Sequence, residues 1–73
     1  MAAEIECYRV GTKVRIAEGI TGLITEISIK QTRTILYYVS WWNGRDQRSE
    51  WFQPWQIEEV EHSSPLRIGF QEP

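Results

Sequence analysis

Residues 35–42 read Ile-Leu-Tyr-Tyr-Val-Ser-Trp-Trp, and no other stretch of the chain restricts its fold as tightly. Strand side chains alternate between two faces, so Ile35, Tyr37, Val39 and Trp41 share one side and Leu36, Tyr38, Ser40 and Trp42 the other. Both sides carry large apolar groups. One can line a core, and the other then needs a separate cover. Asn43-Gly44 follows, a turn signal because both residue types tolerate positive φ. The next apolar residue is Trp51, which predicts a loop longer than a two-residue hairpin and a strand that resumes near Glu50.

Upstream, Val14 and Ile16 alternate with Lys13 and Arg15 between Gly11 and Gly19, which predicts a half-buried strand over 12–17. A tight turn between Gly19 and Gly22 leads into Leu-Ile-Thr-Glu-Ile-Ser-Ile-Lys, whose apolar positions 23, 24, 27 and 29 slip register between Ile24 and Ile27. A strand that changes its inward face in this way is bent or bulged, and the β-branched content argues against a helix. Pro54 ends the strand that holds Trp51, Pro-Trp-Gln forms a 3₁₀ turn, and residues 57–60 make a short last strand.

Beyond His-Ser-Ser-Pro, the residues Leu66, Ile68 and Phe70 alternate again, the pattern of a strand added to a sheet edge, its own or a neighbour's. Near the other end Ile5 and Cys7 alternate with Glu4 and Glu6, which fits an edge strand or an arm. No stretch of ten residues has a helical period. The prediction is an all-β chain of five to six short strands: an arm or edge strand over 1–10, a barrel over 11–60 with a single 3₁₀ turn before its last strand, and a tail with an added strand over 61–73.

Size explains part of the aromatic content, since a domain of 73 residues buries only about 60% of its unfolded surface. Large rings fill a small interior with few side chains. The expected core is Val14, Ile16, Ile20, Ile24, Ile27, Val39, Ile57 and Val60 with two or three rings. The remaining rings are surplus, and aromatic side chains dominate protein interfaces.

Eight Lys+Arg against ten Asp+Glu give a net charge of −2, which disfavours nucleic acid as a partner; Arg33, Arg45 and Arg48 are the one local basic group. A single cysteine, Cys7, and a single histidine, His62, make neither a disulfide nor a metal set, and no cofactor is expected. The hydroxyls of Ser40, Ser49, Ser63 and Ser64 have only His62 as an imidazole partner, and the acidic run of Glu58, Glu59 and Glu61 reads as solubilising. No enzyme is expected. With no apolar span of about 18 residues and no basic-then-apolar start, the expectation is a soluble cytoplasmic protein with no membrane partner.

The segments Gly-Thr-Lys-Val-Arg-Ile, Gly-Ile-Thr-Gly-Leu-Ile, Tyr-Tyr-Val-Ser-Trp-Trp-Asn-Gly and Glu-Trp-Phe-Gln-Pro-Trp-Gln-Ile-Glu-Glu-Val, between residues 11 and 60, resemble the SH3-like small barrels that include Tudor, chromo-barrel and KOW modules. The chromo-type pattern implies an aromatic cage for a methylated lysine or other cation, with Trp41, Trp42 and Trp51 as walls, although His-Ser-Ser-Pro stands where the chromodomain helix begins. A KOW-type reading takes residues 19–24 as the glycine turn and implies nucleic acid, against the net acidity. The likeness to the trimethoprim-insensitive dihydrofolate reductases stops at their Gln-Ile-Tyr pore motif, which is absent near Glu50, Trp51 and Phe52.

The chain also resembles uncharacterised small proteins of bacteria, phages and mobile elements, which implies an adaptor or structural accessory. The leading expectation is a non-enzymatic protein-interaction or structural accessory module whose hairpin 37–52 contributes to an interface with protein, in a homo-oligomer first or with a different protein. Its interface would use Tyr38, Trp42, Trp51 and Trp55 with Leu66, Ile68 and Phe70 of the tail.

Overall fold

The computed structural model describes the backbone of residues 2–60 and 66–71 and the side chains of residues 6–60. The β-branched and aromatic runs become strands: β1 (Ala2–Cys7), β2 (Lys13–Ala17), β3 (Ile20–Ile29), β4 (Ile35–Asn43), β5 (Asp46–Phe52), a 3₁₀ turn at Pro54–Gln56, β6 (Glu58–Glu59) and β7 (Leu66–Gln71). Five of them form one antiparallel sheet in the order β5-β4-β3-β2-β6, while β1 and β7 pair antiparallel as a separate two-stranded sheet. Among the described residues no helix is long and apolar enough to cross a membrane.

The sheet is open, not the closed barrel expected: β5 and β6 are its two edges and do not pair with each other. It is nevertheless curled. The chain passes from β5 at Phe52 to β6 at Glu58 through the 3₁₀ turn, a path of about 16 Å given the rise of extended and 3₁₀ backbone. A flat sheet of five strands is about 19 Å across. Such a short link reaches only if the edges bend toward each other. In the link, Gln56 Oε1 accepts a hydrogen bond from the Gln53 N–H at 2.8 Å and the Gln56 N–H donates to the Gln53 carbonyl at 2.9 Å, closing the turn that Pro54 begins.

The register slip read in β3 is a bulge. Ile24 pairs with Val39 and Glu26 with Tyr38, which leaves Thr25 as the extra residue, and its Oγ1 donates to the Tyr38 carbonyl at 3.2 Å. The extra residue switches the parity of the inward face. Ile24 is buried before it, and Ile27 and Ile29 pack on the core after it.

Two turns lie elsewhere than expected. The β2–β3 turn is Glu18-Gly19, with Ala17 paired to Ile20 and Gly19 at φ +76°, so Gly22 falls inside the strand. The β4–β5 turn is the two-residue Gly44-Arg45, since Asn43 pairs with Asp46. Gly44 has φ +67° and Arg45 a negative φ, the sign pattern of a type II′ hairpin. The expected longer loop is thus a strand, and its first residues are polar because β5 is an edge with water on both sides.

The core consists of Cys7, Val14, Ile24, Ile35, Tyr37, Val39 and Ile57, with Tyr8, Ile16, Ile27, Ile29, Trp41 and Phe52 packed around it. Ile20 and Val60, expected inside, are exposed: Ile20 sits at the turn end of β3 and Val60 follows the two-residue β6. Cys7 and Ile35 take the vacated share. The root of β1 is fixed there, since the Tyr8 N–H donates to the Tyr37 hydroxyl at 3.0 Å and the two rings lie 5.4 Å apart.

Gly22 lets β4 approach. A methyl group there would meet the Ser40 carbonyl oxygen at 2.6 Å and Val39 Cγ1 at 2.8 Å. The first is backbone in the middle of a ladder and cannot yield cheaply. Gly22→Ala is therefore expected to destabilise the fold by about 1–3 kcal/mol, read as a lower urea midpoint with an unchanged slope; an unaltered midpoint would show that the β3–β4 contact is looser than described.

Candidate functional site

Alternation along β4 and its pairing with β5 divide the aromatic residues between two faces of the sheet. On the core side, Trp41 is half-buried and meets Phe52 edge-on with ring centroids 5.9 Å apart. Outward stand Tyr38, Ser40 and Trp42 of β4, opposite Trp51, Ser49 and Gln47 of β5. Trp51 covers Tyr38, with centroids 4.9 Å apart and a 44° tilt, so Tyr38 is only partly available and has the intramolecular cover that alternation alone does not reveal. The Ser40 and Ser49 hydroxyls share a hydrogen bond of 2.8 Å in the middle of this face.

Trp42 has no such cover. It is 68% exposed, beside Leu23 at 47%. Leu23 pairs with Ser40, which makes it the diagonal neighbour of Trp42. Lys13, Ile20, Leu23, Ser40, Trp42 and Gln47 line a shallow groove of about 500 Å³. Leu23 was not among the expected interface residues, because its outward orientation follows from where the bulge falls.

The other expected interface residues separate. Trp51 is 47% exposed on the same outer face. Trp55, at 77% exposure, lies in the 3₁₀ turn and borders a different hollow with Arg15, Glu18 and Glu58 at the β2–β6 side of the sheet. Leu66, Ile68 and Phe70 have described backbone, paired in register with Cys7, Ile5 and Ala3, but their side chains lie outside the described residues. So do His62, Ser63, Ser64 and Glu61.

The cage residues do not converge. Trp41 and Trp42 are successive residues on opposite faces, and Trp51 is aligned with Tyr38, four residues from Trp42 along β4, a separation of about 13 Å. Nor does Arg33 join Arg45 and Arg48, which share the β4–β5 hairpin. Arg33 is in the β3–β4 turn and Arg45 in the β4–β5 turn, at opposite ends of a nine-residue strand roughly 30 Å long. Among the described residues no three His, Cys, Asp or Glu side chains form a metal-holding group. Ser40 and Ser49 bond to each other and have no imidazole among the described residues.

Two buried titratable groups lie on the core side. Burial pushes the Cys7 thiol above its ordinary value, opposed by the nearby Arg9 charge. Burial likewise raises Tyr37, opposed by the hydrogen bond from the Tyr8 backbone and reinforced by Cys7 and Tyr8. Cys7 packs in the core, and a raised thiol pKa leaves less of the nucleophilic thiolate at neutral pH.

Comparison of the chain with protein-family models, with curated proteins and with solved structures finds no match. What the outer face does therefore rests on its own chemistry.

The raised values set a pH dependence. Both folded-state pKa values lie above the ordinary ones, 9.0 for Cys7 and 10.0 for Tyr37, so the unfolded chain loses these protons first as pH rises. Their contribution to stability is complete below about pH 8.5 and is lost as pH climbs through the folded values. Thermal melts should give a flat midpoint between pH 7 and 8 and a decline toward pH 10.5. Tyr37→Phe, besides costing about 1 kcal/mol for the Tyr8 N–H it leaves unpaired, should show a shallower decline; equal slopes would remove Tyr37 as a source.

Proposed function

We propose that this protein is a non-enzymatic interaction module, with an SH3-like fold whose sheet is not closed into a barrel, that associates with protein through the outer face of β3, β4 and β5, with a second copy of the chain as a partner. The observation that carries this reading is the exposure of Trp42 next to Leu23 on an ordered strand face. Covering most of one tryptophan ring is worth about 3 kcal/mol of transfer free energy, large beside the net stability of a small domain. At the centre of the face the Ser40 and Ser49 hydroxyls bond to each other, which lowers the cost of desolvating that part of the surface.

An aromatic cage would need at least two rings turned toward one point, and Trp42 and Trp51 stand too far apart along the strands for that. A nucleic-acid surface would need its cations together. Neither arrangement supports a competing reading.

Light scattering over a concentration series is expected to show a mass above one chain that falls to the single-chain value on dilution. Trp42→Ala should shift that transition to higher concentration by at least about tenfold, the equivalent of half of the ring's transfer free energy. A trimethyl-lysine peptide should leave the tryptophan fluorescence unchanged. A Trp42→Ala protein that associates like the parent would remove the outer face from the interaction.

A further inference from the structure

We propose that two copies of this chain join edge to edge through β5, antiparallel about Ser49, so that Arg48 of each copy faces Glu50 of the other and two five-stranded sheets become one. The inference rests on the reading that the chain associates with itself, and it names the edge and the register.

Strand β5 is an edge of the sheet, paired with β4 on one side and with no neighbour on the other among the described residues. An open edge is a template for any strand, and natural edges are commonly guarded by inward-facing charges. Arg48 and Glu50 fill that role: they lie opposite Trp41 and Val39, on the core-side face, and both are exposed. Their order is what matters. Two charges of opposite sign, two residues apart, repel or strand most partners yet complement their own reversed copy.

The register follows from the strand itself. In an antiparallel pair of identical strands, the arrangement that overlaps all seven residues of β5 is centred on Ser49. It sets Asp46 opposite Phe52, Gln47 opposite Trp51 and Arg48 opposite Glu50 of the second copy. Both Arg–Glu pairs form, by the two-fold. A shift to a centre on Arg48 puts arginine against arginine and Asp46 against Glu50, and a centre on Glu50 puts glutamate against glutamate. Like charges directly opposite are unfavourable. A shift of one position would join the core face of one copy to the outer face of the other. One register therefore has full overlap, matched faces and matched charges.

The same register treats the aromatic face consistently. Since Trp51 pairs with Tyr38 and Gln47 with Trp42 within a chain, each outer row then runs Tyr38 and Trp51 of one copy, followed by Gln47 and Trp42 of the other. Gln47 of the second copy is flanked by a tryptophan on each side. Ser40 and Ser49 of both copies form the row between. The edge ladder supplies roughly six to eight backbone hydrogen bonds, and on the outer face Trp51 of each copy, 47% exposed alone, gains Gln47 of the other as a neighbour.

The test compares the full-length parent with Arg48→Glu, with Glu50→Arg, with the double variant and with an equimolar mixture of the two single variants, by light scattering over a concentration series. Both positions are exposed on the edge strand, and circular dichroism melts establish that each variant folds. Each single variant should need at least about tenfold more protein to dimerise, because two attractive pairs become repulsive. The double variant should recover the parent's behaviour. The mixture should also recover it, as a heterodimer in which one copy supplies two carboxylates and the other two guanidinium groups.

Single variants that dimerise like the parent, or a mixture no better than its components, would overturn the edge pairing. In that case loss of the dimer in Trp42→Ala would leave the outer-face interaction standing by another geometry. Rescue by the mixture together with an unaffected Trp42→Ala would keep the edge and overturn the face. A parent that stays at the single-chain mass throughout would overturn both.

Discussion

The one residue by which β3 outruns β4, Thr25, decides which side chains this sheet can bury. Before it the inward positions of β3 are even, at Gly22 and Ile24; after it they are odd, at Ile27 and Ile29. A straight ladder would expose one of these groups and lose a share of a core that is small to begin with. The bulge also depends on β4 being close, and closeness depends on Gly22 having no side chain. The partner strand then places Ile35, Tyr37 and Val39 against the same core. Everything on the reverse side, Tyr38 and Trp42 included, is outward as a consequence.

Much of this was legible in the residues, and where it was not the reasons are physical. The slip of apolar positions between Ile24 and Ile27 announces the bulge, because a buried face tolerates no other explanation in a β-branched run. The hairpin turn at Gly44-Arg45 is obscured by using apolar residues to mark strands: Asp46 to Glu50 is polar because an edge has little to bury. Alternation assigns Trp41 and Trp42 to opposite faces but does not say that Trp51 shields Tyr38, which depends on the pairing register. Sheet closure was not legible at all. It requires the two edges to meet, and no local pattern records the distance between them. The resemblance to SH3-like barrels supplied the expectation of a closed sheet; the open edge at β5 is where the structure departs from it.

The outer face and the β5 edge are parts of one surface. The face has the Ser40–Ser49 hydrogen bond at its centre and its apolar residues at the periphery, with Trp51 on the edge strand and Trp42 one strand in. The edge has alternating charge on the opposite side. On the reading proposed above, such a surface would distinguish partners by charge order on one side and by ring placement on the other.

The link from Phe52 to Glu58 has one further effect. Because it is shorter than the flat width of the sheet, it behaves as a drawstring: the separation of the two edges and the curvature of the whole sheet are one variable, not two. Peeling β6 from β2 would release the anchor from which this link holds the β5 margin inward. The two margins of this small sheet are thereby tied through the chain, although among the described residues they do not pair as strands.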